Sequence, residues 1–351
     1  MNSWRDNVRK VEPYTPGEQP KEEGVIKLNT NENPYPPSDK IKKAMSGIKN
    51  LRKYPDPAAT KLVEAIASYH GFDKEEVFVG VGSDDVLAVA FMTFFNGKKP
   101  IFFPDITYSF YPVWAELFGI PYEKKAVNDA FEIQKEDYYA ENGGGVFPNP
   151  NAPTGAFLSL EVVEDIIQHN QDVVVIVDEA YIDFGGDTAK ELTRKYDNVL
   201  VVQTYSKSRS LAGLRIGYAI GNKELIKAMN DVKYSYNSYT MNEPSIVLGT
   251  AVLEDEEYFQ ETRNKIIDTR EWFQIEMRKI GFSFADSKAN FIFATHESVP
   301  AKEIFEAAKK AKIYVRYFDQ PRINNYLRIT IGTREEMETL LDFLKEFTAT
   351  K

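Results

Sequence analysis

Residues 204–222 read TYSKSRSLAGLRIGYAIGN and follow directly on the apolar run VLVV at 199–202. That run has the composition of a buried strand. It ends on Thr204, Tyr205, Ser206 and Ser208, hydroxyl groups gathered around Lys207. A second cation, Arg215, follows eight positions later, after a turn of small residues. The turn is too short for a crossover helix, so RIGYAIG (215–221) is expected to run antiparallel to its neighbour. A solvated loop lysine, the default for this residue type, needs no such setting. A lysine that works through its unprotonated amine does, because desolvation and neighbouring cations disfavour the ammonium form.

The stretch sits in a regular alternation of strand and helix signals. VVVIV (173–177) is apolar on both faces, as in a parallel sheet covered on each side, and ends on Asp178. EVFVGV (76–81) leads into GSDD (82–85) and a helical DDVLAVAFMTFFNG that Gly97 is expected to close. TKLVEAIASYHG (60–71) is a helix stopped by Gly71, and KPIFFPDITY (99–108) is a strand leading to a helix from Ser109. The pattern predicts an α/β fold: a mostly parallel central sheet with helices on both faces. Beyond residue 250 come YFQETRNKIIDTREWFQIEMRKIG (258–281), SKANFIFA, another helix, IYVRYF and YLRITIG. Long helices with short strands predict a smaller C-terminal α+β domain. The expected division is a polar, proline-punctuated arm over 1–30, a large domain over 31–250 and a small one over 251–351.

The chain has 351 residues, 43% of them hydrophobic, enough for real cores. A net charge of −10 argues against a nucleic-acid partner, and no basic block suggests a membrane surface. There is no cysteine, so disulfides and thiolate metal sites are excluded. The first residues lack the apolar core of a signal peptide, and no run approaches the ~18 apolar residues of a membrane span. A cytoplasmic enzyme is expected. The three histidines (His70, His169, His296) are scattered and read as helix-end or surface residues. HExxH, GxSxG and Walker patterns are missing, and no metal site is expected.

In open α/β sheets ligands bind beyond the carboxyl ends of the strands, where Asp178, Lys207 and GSDD all fall. An acidic residue at a strand end is usually just solvated. A buried carboxylate, however, suits a ring nitrogen that must stay protonated, and an acidic partner with a Schiff-base lysine is the signature of pyridoxal 5'-phosphate (PLP). Tyr181 could hydrogen-bond the ring's phenolic oxygen, or simply pack over the sheet edge. Arg215 suits bidentate contact with a phosphate, helped by Ser206. The amides of Ser83 and Asp84 face outward at a helix N-terminus, a ready anion site that is compatible with Ser83 as a plain N-cap. GVGSDD also resembles half of a dinucleotide fingerprint, but Asp85 takes the place of the third glycine.

Together these residues resemble the fold-type-I PLP aminotransferases, and more narrowly the histidinol-phosphate aminotransferase family. The resemblance covers nearly the whole chain: KLNTNENPYPP, LRKYPDP, GVGSDD, DITYSFY, NPNAPTG, VDEAYIDF, TYSKSRSLAGLRIGY, SKANFIF and YLRITIGTREE stand in family order. It implies that Lys207 carries the cofactor covalently and shuttles the proton, with Asp178 on the pyridine nitrogen and Tyr181 on the 3′ oxygen. Tyr108 would stack on the ring, while Ser83, Asp84, Ser206 and Arg215 hold the phosphate. Tyr54 would reach the phosphate of a neighbouring subunit, implying a homodimer with shared sites. Arg328 would take the substrate's anionic end, assisted by Arg316 and Tyr14, with Asn33 also on the substrate side. The family's NPNNPTG is here NPNAPTG, so the asparagine expected on the ring oxygen is Ala152, and Asn151 is the candidate replacement.

The activity implied is amino transfer between histidinol phosphate and 2-oxoglutarate, yielding imidazole acetol phosphate and glutamate. An aromatic aminotransferase and a PLP decarboxylase of a phosphorylated amino acid share most of these motifs. A sensor domain of a transcription regulator would share the core set too, but no basic DNA-binding segment accompanies it.

Overall fold

The computed structural model describes residues 3–49 and 51–350. The first strand is β1 (Ile26–Lys27). The next seven build one sheet: β2 (Val77–Gly80), β3 (Ile101–Pro104), β4 (Tyr122–Lys125), β5 (Gly145–Pro148), β6 (Val175–Asp178), β7 (Val199–Thr204) and β8 (Gly217–Gly221). Their spatial order is β2-β8-β7-β6-β5-β3-β4. Pairings from β7 through β6, β5 and β3 to β4 are parallel, and β8 is antiparallel to both its neighbours. The reversal follows from the connection after β7, which holds only a 3-10 turn at Ala212–Leu214.

Every residue of β6 and β7 is buried, as the unbroken apolar runs require. Alternation divides them between two cores. Ile176, Leu200 and Val202 pack with Val86, Leu87 and Ala90 of the helix Ser83–Phe94. Val175, Val177, Val199 and Val201 pack with Val163, Ile166 and Ile167 of the helix Leu160–Gln168 on the other face. The helix Thr60–His70 stops at Gly71, whose φ of +75° is the left-handed cap that glycine allows. Helix Ser83–Phe94, by contrast, ends before the expected Gly97. Phe95 turns its ring into the core, and the chain leaves the helix to place it there.

The small layer holds β9 (Phe282–Ser283), β10 (Phe291–His296), β11 (Ile313–Tyr314), β12 (Arg316–Tyr317) and β13 (Leu327–Thr330). Four of these form an antiparallel sheet in the order β12-β13-β10-β9. Helices Glu256–Lys279, Ala301–Lys310 and Arg334–Ala349 cover it with one apolar core. The last helix starts at a capping box, Thr333 with Glu336, inside the motif GTREE. The end of the arm, where little structure was expected, is built into this layer. β1 pairs in parallel with β11, Leu28 joins the core, and the Thr330 amide donates to the Leu28 carbonyl at 3.0 Å. Residues 29–31 are thereby delivered to the edge of the large sheet.

β8 itself begins at Gly217 rather than at Arg215, because Arg215 takes a left-handed φ of +52°. Gly217 lies so close to the turn opening helix Ser83–Phe94 that a Cβ there would strike the backbone of Gly82 and Ser83. Gly217→Ala should therefore cost about 1–3 kcal/mol by overpacking, and push that turn outward. Thermal unfolding of the protein freed of ligand checks this; an unchanged Tm would remove the close-approach argument.

Candidate active site

Three strand ends converge at the carboxyl edge of the large sheet. β6 ends on Asp178, β7 runs into the loop bearing Ser206 and Lys207, and β2 leads through Gly82 to Ser83 and Asp84. All of these side chains except Gly82 line one cavity, together with Tyr108, Ala152, Tyr181 and Arg215.

Asp178 is only 4% exposed. The Tyr111 hydroxyl donates to Oδ2 at 2.8 Å and the Ala180 amide to Oδ1 at 3.3 Å. Burial outweighs both bonds and pushes the carboxyl up to about 6, with the charge of Asp84 adding to the rise and that of Lys207 opposing it. Tyr111 was not expected at the site. It lies three positions beyond Tyr108 in ITYSFY, in the first turn of the helix Phe110–Phe118, and its place in that motif was the available signal.

Lys207 donates from Nζ to the Thr30 carbonyl at 3.2 Å and lies 5.7 Å from the centre of the Tyr181 ring. Its loop is tied on both sides: the Ser208 hydroxyl donates to Asp183, and Asn33 Nδ2 donates to the Ser208 carbonyl at 3.0 Å. Asn33, expected on the substrate, thus braces the lysine loop, and its Oδ1 accepts from the Tyr35 amide. Tyr181 receives a hydrogen bond from Asn31 Nδ2 at 2.9 Å, a residue that sequence reasoning passed over.

The anion cradle combines the first turn of helix Ser83–Phe94, the Ser206 hydroxyl and Arg215. Gly82, at φ +83°, caps the helix, and a Cβ on it would collide with the Arg215 guanidinium. Arg215 contacts Ser206 Oγ at 3.4 Å and Asp84 Oδ2 at 3.0 Å. Its left-handed backbone, costing about 1–3 kcal/mol in a non-glycine residue, is what turns the side chain inward. The Tyr108 hydroxyl donates to Asp84 Oδ1 at 2.7 Å, and burial pushes this phenol far above its ordinary range.

A second cleft opens beside the first and shares Tyr108, Ala152, Tyr181 and Lys207 with it. Arg328 enters from the small layer, with Nη2 donating to the Asn29 carbonyl at 2.9 Å and a buried Nε that has no protein partner. Arg316 is its direct register partner across β12 and β13. Burial, then the charge of Arg316, lowers the basicity of Arg328. Tyr14 lines the same cleft, stacked on Phe110 at 4.2 Å.

Two expected residues lie elsewhere. Asn151 Nδ2 donates to the Ile106 carbonyl and Thr154 Oγ1, and Oδ1 accepts from Thr107, so its amide shapes its own loop; Ala152 is the neighbour on the cavity wall. Tyr54 is 81% exposed and packs on Tyr239, with ring centres 4.7 Å apart. Of the histidines, His169 is exposed at a helix end, His70 bonds Tyr218, and His296 is buried at the end of β10 rather than at the surface. Among the described residues no metal-binding cluster occurs and no helix is long and apolar enough to cross a membrane.

Residues 23–344 match the family aminotransferase class I and II, and the chain belongs to that family. It is 51% identical over 344 residues to the histidinol-phosphate aminotransferase of Clostridium beijerinckii, covering 97% of this chain and 96% of that one. In fold it is similar to the histidinol-phosphate aminotransferase of Clostridium acetobutylicum (TM-score 0.85, 22% identity, 93% and 100% of the two chains covered). The Sinorhizobium meliloti enzyme, solved in complex with pyridoxal-5'-phosphate, superposes with a TM-score of 0.84 at 21% identity, covering 93% and 91%. The fold is thus that of the fold-type-I aminotransferases, and the cofactor is PLP.

The residues present fit that group. A buried carboxylate suits a ring cation, and an arginine, a hydroxyl and a helix N-terminus stand ready for a phosphate. Because Asp178 binds its proton more tightly than a free carboxyl, its negative charge is lost as the pH falls through about 6. The affinity of the cofactor-free protein for PLP should then fall below that pH, by up to about tenfold per unit for one proton. The cofactor's own phosphate takes a proton near pH ~6 as well. The readout is therefore the difference between the binding profiles of the parent and Asp178→Asn, and parallel profiles would dismiss the ring-nitrogen role.

Proposed function

We propose that this chain moves an amino group from histidinol phosphate to 2-oxoglutarate, yielding imidazole acetol phosphate and glutamate. The observation that carries the substrate assignment is Arg316 and Arg328, directly opposed on neighbouring strands at the cleft beside Lys207. Like charges in such register are destabilising unless an anion lies between them. A phosphate, with up to two negative charges and three acceptor oxygens, answers two guanidiniums better than a carboxylate does. Histidinol phosphate carries that group where an amino acid carries its carboxylate.

Bound in the first cavity, PLP supplies an electron sink for negative charge developing at the substrate's α-carbon. Lys207 would hold the cofactor covalently through Nζ, and its free amine would carry the proton between the substrate's α-carbon and the cofactor's C4′. Asp178 would keep the ring nitrogen protonated, and Tyr181 would donate to the ring's phenolic oxygen. Ser83, Asp84 through its amide, Ser206 and Arg215 would hold the phosphate, and Tyr108 would stack on the ring. Arg328, with Arg316 and Tyr14, orients donor and acceptor in turn, which makes the kinetics ping-pong.

Tyr54 is assigned to the cofactor phosphate of a second copy, making the active unit a homodimer. An exposed aromatic pair, Tyr54 on Tyr239, outside its own chain's cavity supports this. A cytoplasmic location goes with the biosynthetic role.

Arg328→Ala should damage both half-reactions. Arg316→Ala and Tyr14→Phe should penalise histidinol phosphate more than glutamate, by about 1–3 kcal/mol in kcat/KM for a lost charged hydrogen bond. Single-turnover measurements of each half-reaction decide the matter. Equal losses for the two substrates in the Arg316 variant would favour an aromatic aminotransferase instead.

Tyr54→Phe should weaken cofactor retention by roughly tenfold, the scale of one hydrogen bond to a charged group. Activity should also vanish on dilution to monomers. Full activity in a demonstrated monomer would end the shared-site assignment.

A further inference from the structure

Ala152 leaves a methyl group on the cavity wall beside Tyr181, where no side-chain donor is available. A different asparagine reaches Tyr181. Asn31 directly follows the arm, is 1% exposed, and holds a left-handed φ of +56°, a conformation asparagine tolerates better than most residues. The direction of its amide follows from the bonds around it. Its backbone N–H donates to Thr330 Oγ1 at 3.0 Å, and that hydroxyl places its own proton on Asn31 Oδ1 at 3.0 Å. With Oδ1 engaged as an acceptor, the group facing Tyr181 is Nδ2, a donor only. Asn290 Nδ2 completes the seat by donating to the Asn31 carbonyl at 3.0 Å.

A phenol oxygen that receives a hydrogen bond keeps its own proton for another acceptor. Tyr181 stands in that state on the wall of the cavity. The charged and titratable groups around it are Lys207, 5.7 Å from the ring centre, Asp178 at the strand end, and Arg328, Tyr14 and Tyr108 from the flanking cleft. Phe291 of β10 closes the ring's edge at 5.0 Å without any polar atom.

We propose that Asn31 is a positioning residue for the reaction. It aims the Tyr181 proton at the phenolic oxygen of PLP and so takes over, from the arm, a polar role that Ala152 cannot fill. Through Thr330 and Asn290 the same contact ties that hydrogen bond to the small layer. The proposal rests on the cofactor reading above.

The test is the pH titration of the visible absorption band of the purified holoenzyme. A hydrogen bond donated by Tyr181 draws electron density from the phenolic oxygen and loosens its hold on the proton it shares with the lysine nitrogen. Asn31→Ala should therefore raise the midpoint of the spectral change by about one pH unit, the shift expected for one ordinary hydrogen bond. The borohydride-reducible bond to Lys207 should remain. Adding Ala152→Asn to that variant should bring the midpoint back, which repair of mere arm docking would not do. Ala152→Asn in the parent chain should lower the midpoint, and this variant serves if Asn31→Ala fails to fold. The proposal is overturned by an unmoved midpoint in Asn31→Ala, by a double variant that stays displaced, or by an unmoved midpoint in Ala152→Asn alone. A parent protein without the reducible bond would overturn the cofactor reading and this one together, whereas a parent that has it isolates the role of Asn31.

Discussion

A carboxylate buried at the end of a central strand is the constraint that the rest of the site answers. β6 is covered on both faces, so the side chain at its carboxyl end, Asp178, is almost wholly withdrawn from water and meets only the cavity. Burying an unpaired charge costs several kcal/mol after relaxation, about what a small domain has in total. Tyr111 and the Ala180 amide each give it a hydrogen bond, yet burial still holds the group at about 6. A cation has to complete the balance. Lys207 supplies part of it from the next strand, and in the proposed function the ring nitrogen of the family's cofactor would supply the rest. The function is in this sense the completion of an electrostatic deficit that the sheet itself creates.

The same logic governs the other charges. Arg215 accepts a left-handed backbone because only that turn aims its guanidinium into the cradle beside Gly82. Arg316 and Arg328 face each other across two strands, a repulsive register that the proposed anionic substrate would relieve. The small layer places these two cations, the large sheet places the lysine, and the arm stitches the two together. Thr30 accepts from Lys207, Asn29 accepts from Arg328, and Asn31 donates to Tyr181. Three consecutive residues where the arm meets the large domain therefore touch Arg328, Lys207 and Tyr181.

Much of this was legible in the linear chain. Unbroken apolar runs marked β6 and β7, Gly71 marked a helix end, and the short connection after VLVV forced the antiparallel β8. Strand-end logic then collected Asp178, Lys207, Ser83 and Asp84 at one edge, since side chains there are set by local backbone geometry. What could not be read were features decided by contacts distant in sequence. The helix ends at Phe94 with the Phe95 ring in the core that residues of β3, β5, β6 and β7 share, and Gly97 is left without a capping role. Asn33 braces the lysine loop 175 residues away, and Asn31 finds Tyr181 across 150.

The sequence alone thus settled the α/β class and the family, and placed Lys207 at the end of a buried strand, because periodicity, turn chemistry and motif order are local and survive without coordinates. The tertiary structure alone decided which asparagine meets Tyr181, which arginines oppose each other, and that the arm belongs to the small layer. Those outcomes depend on register between strands and on hydrogen-bond directions among groups hundreds of residues apart, and nothing in a neighbouring stretch of chain encodes them.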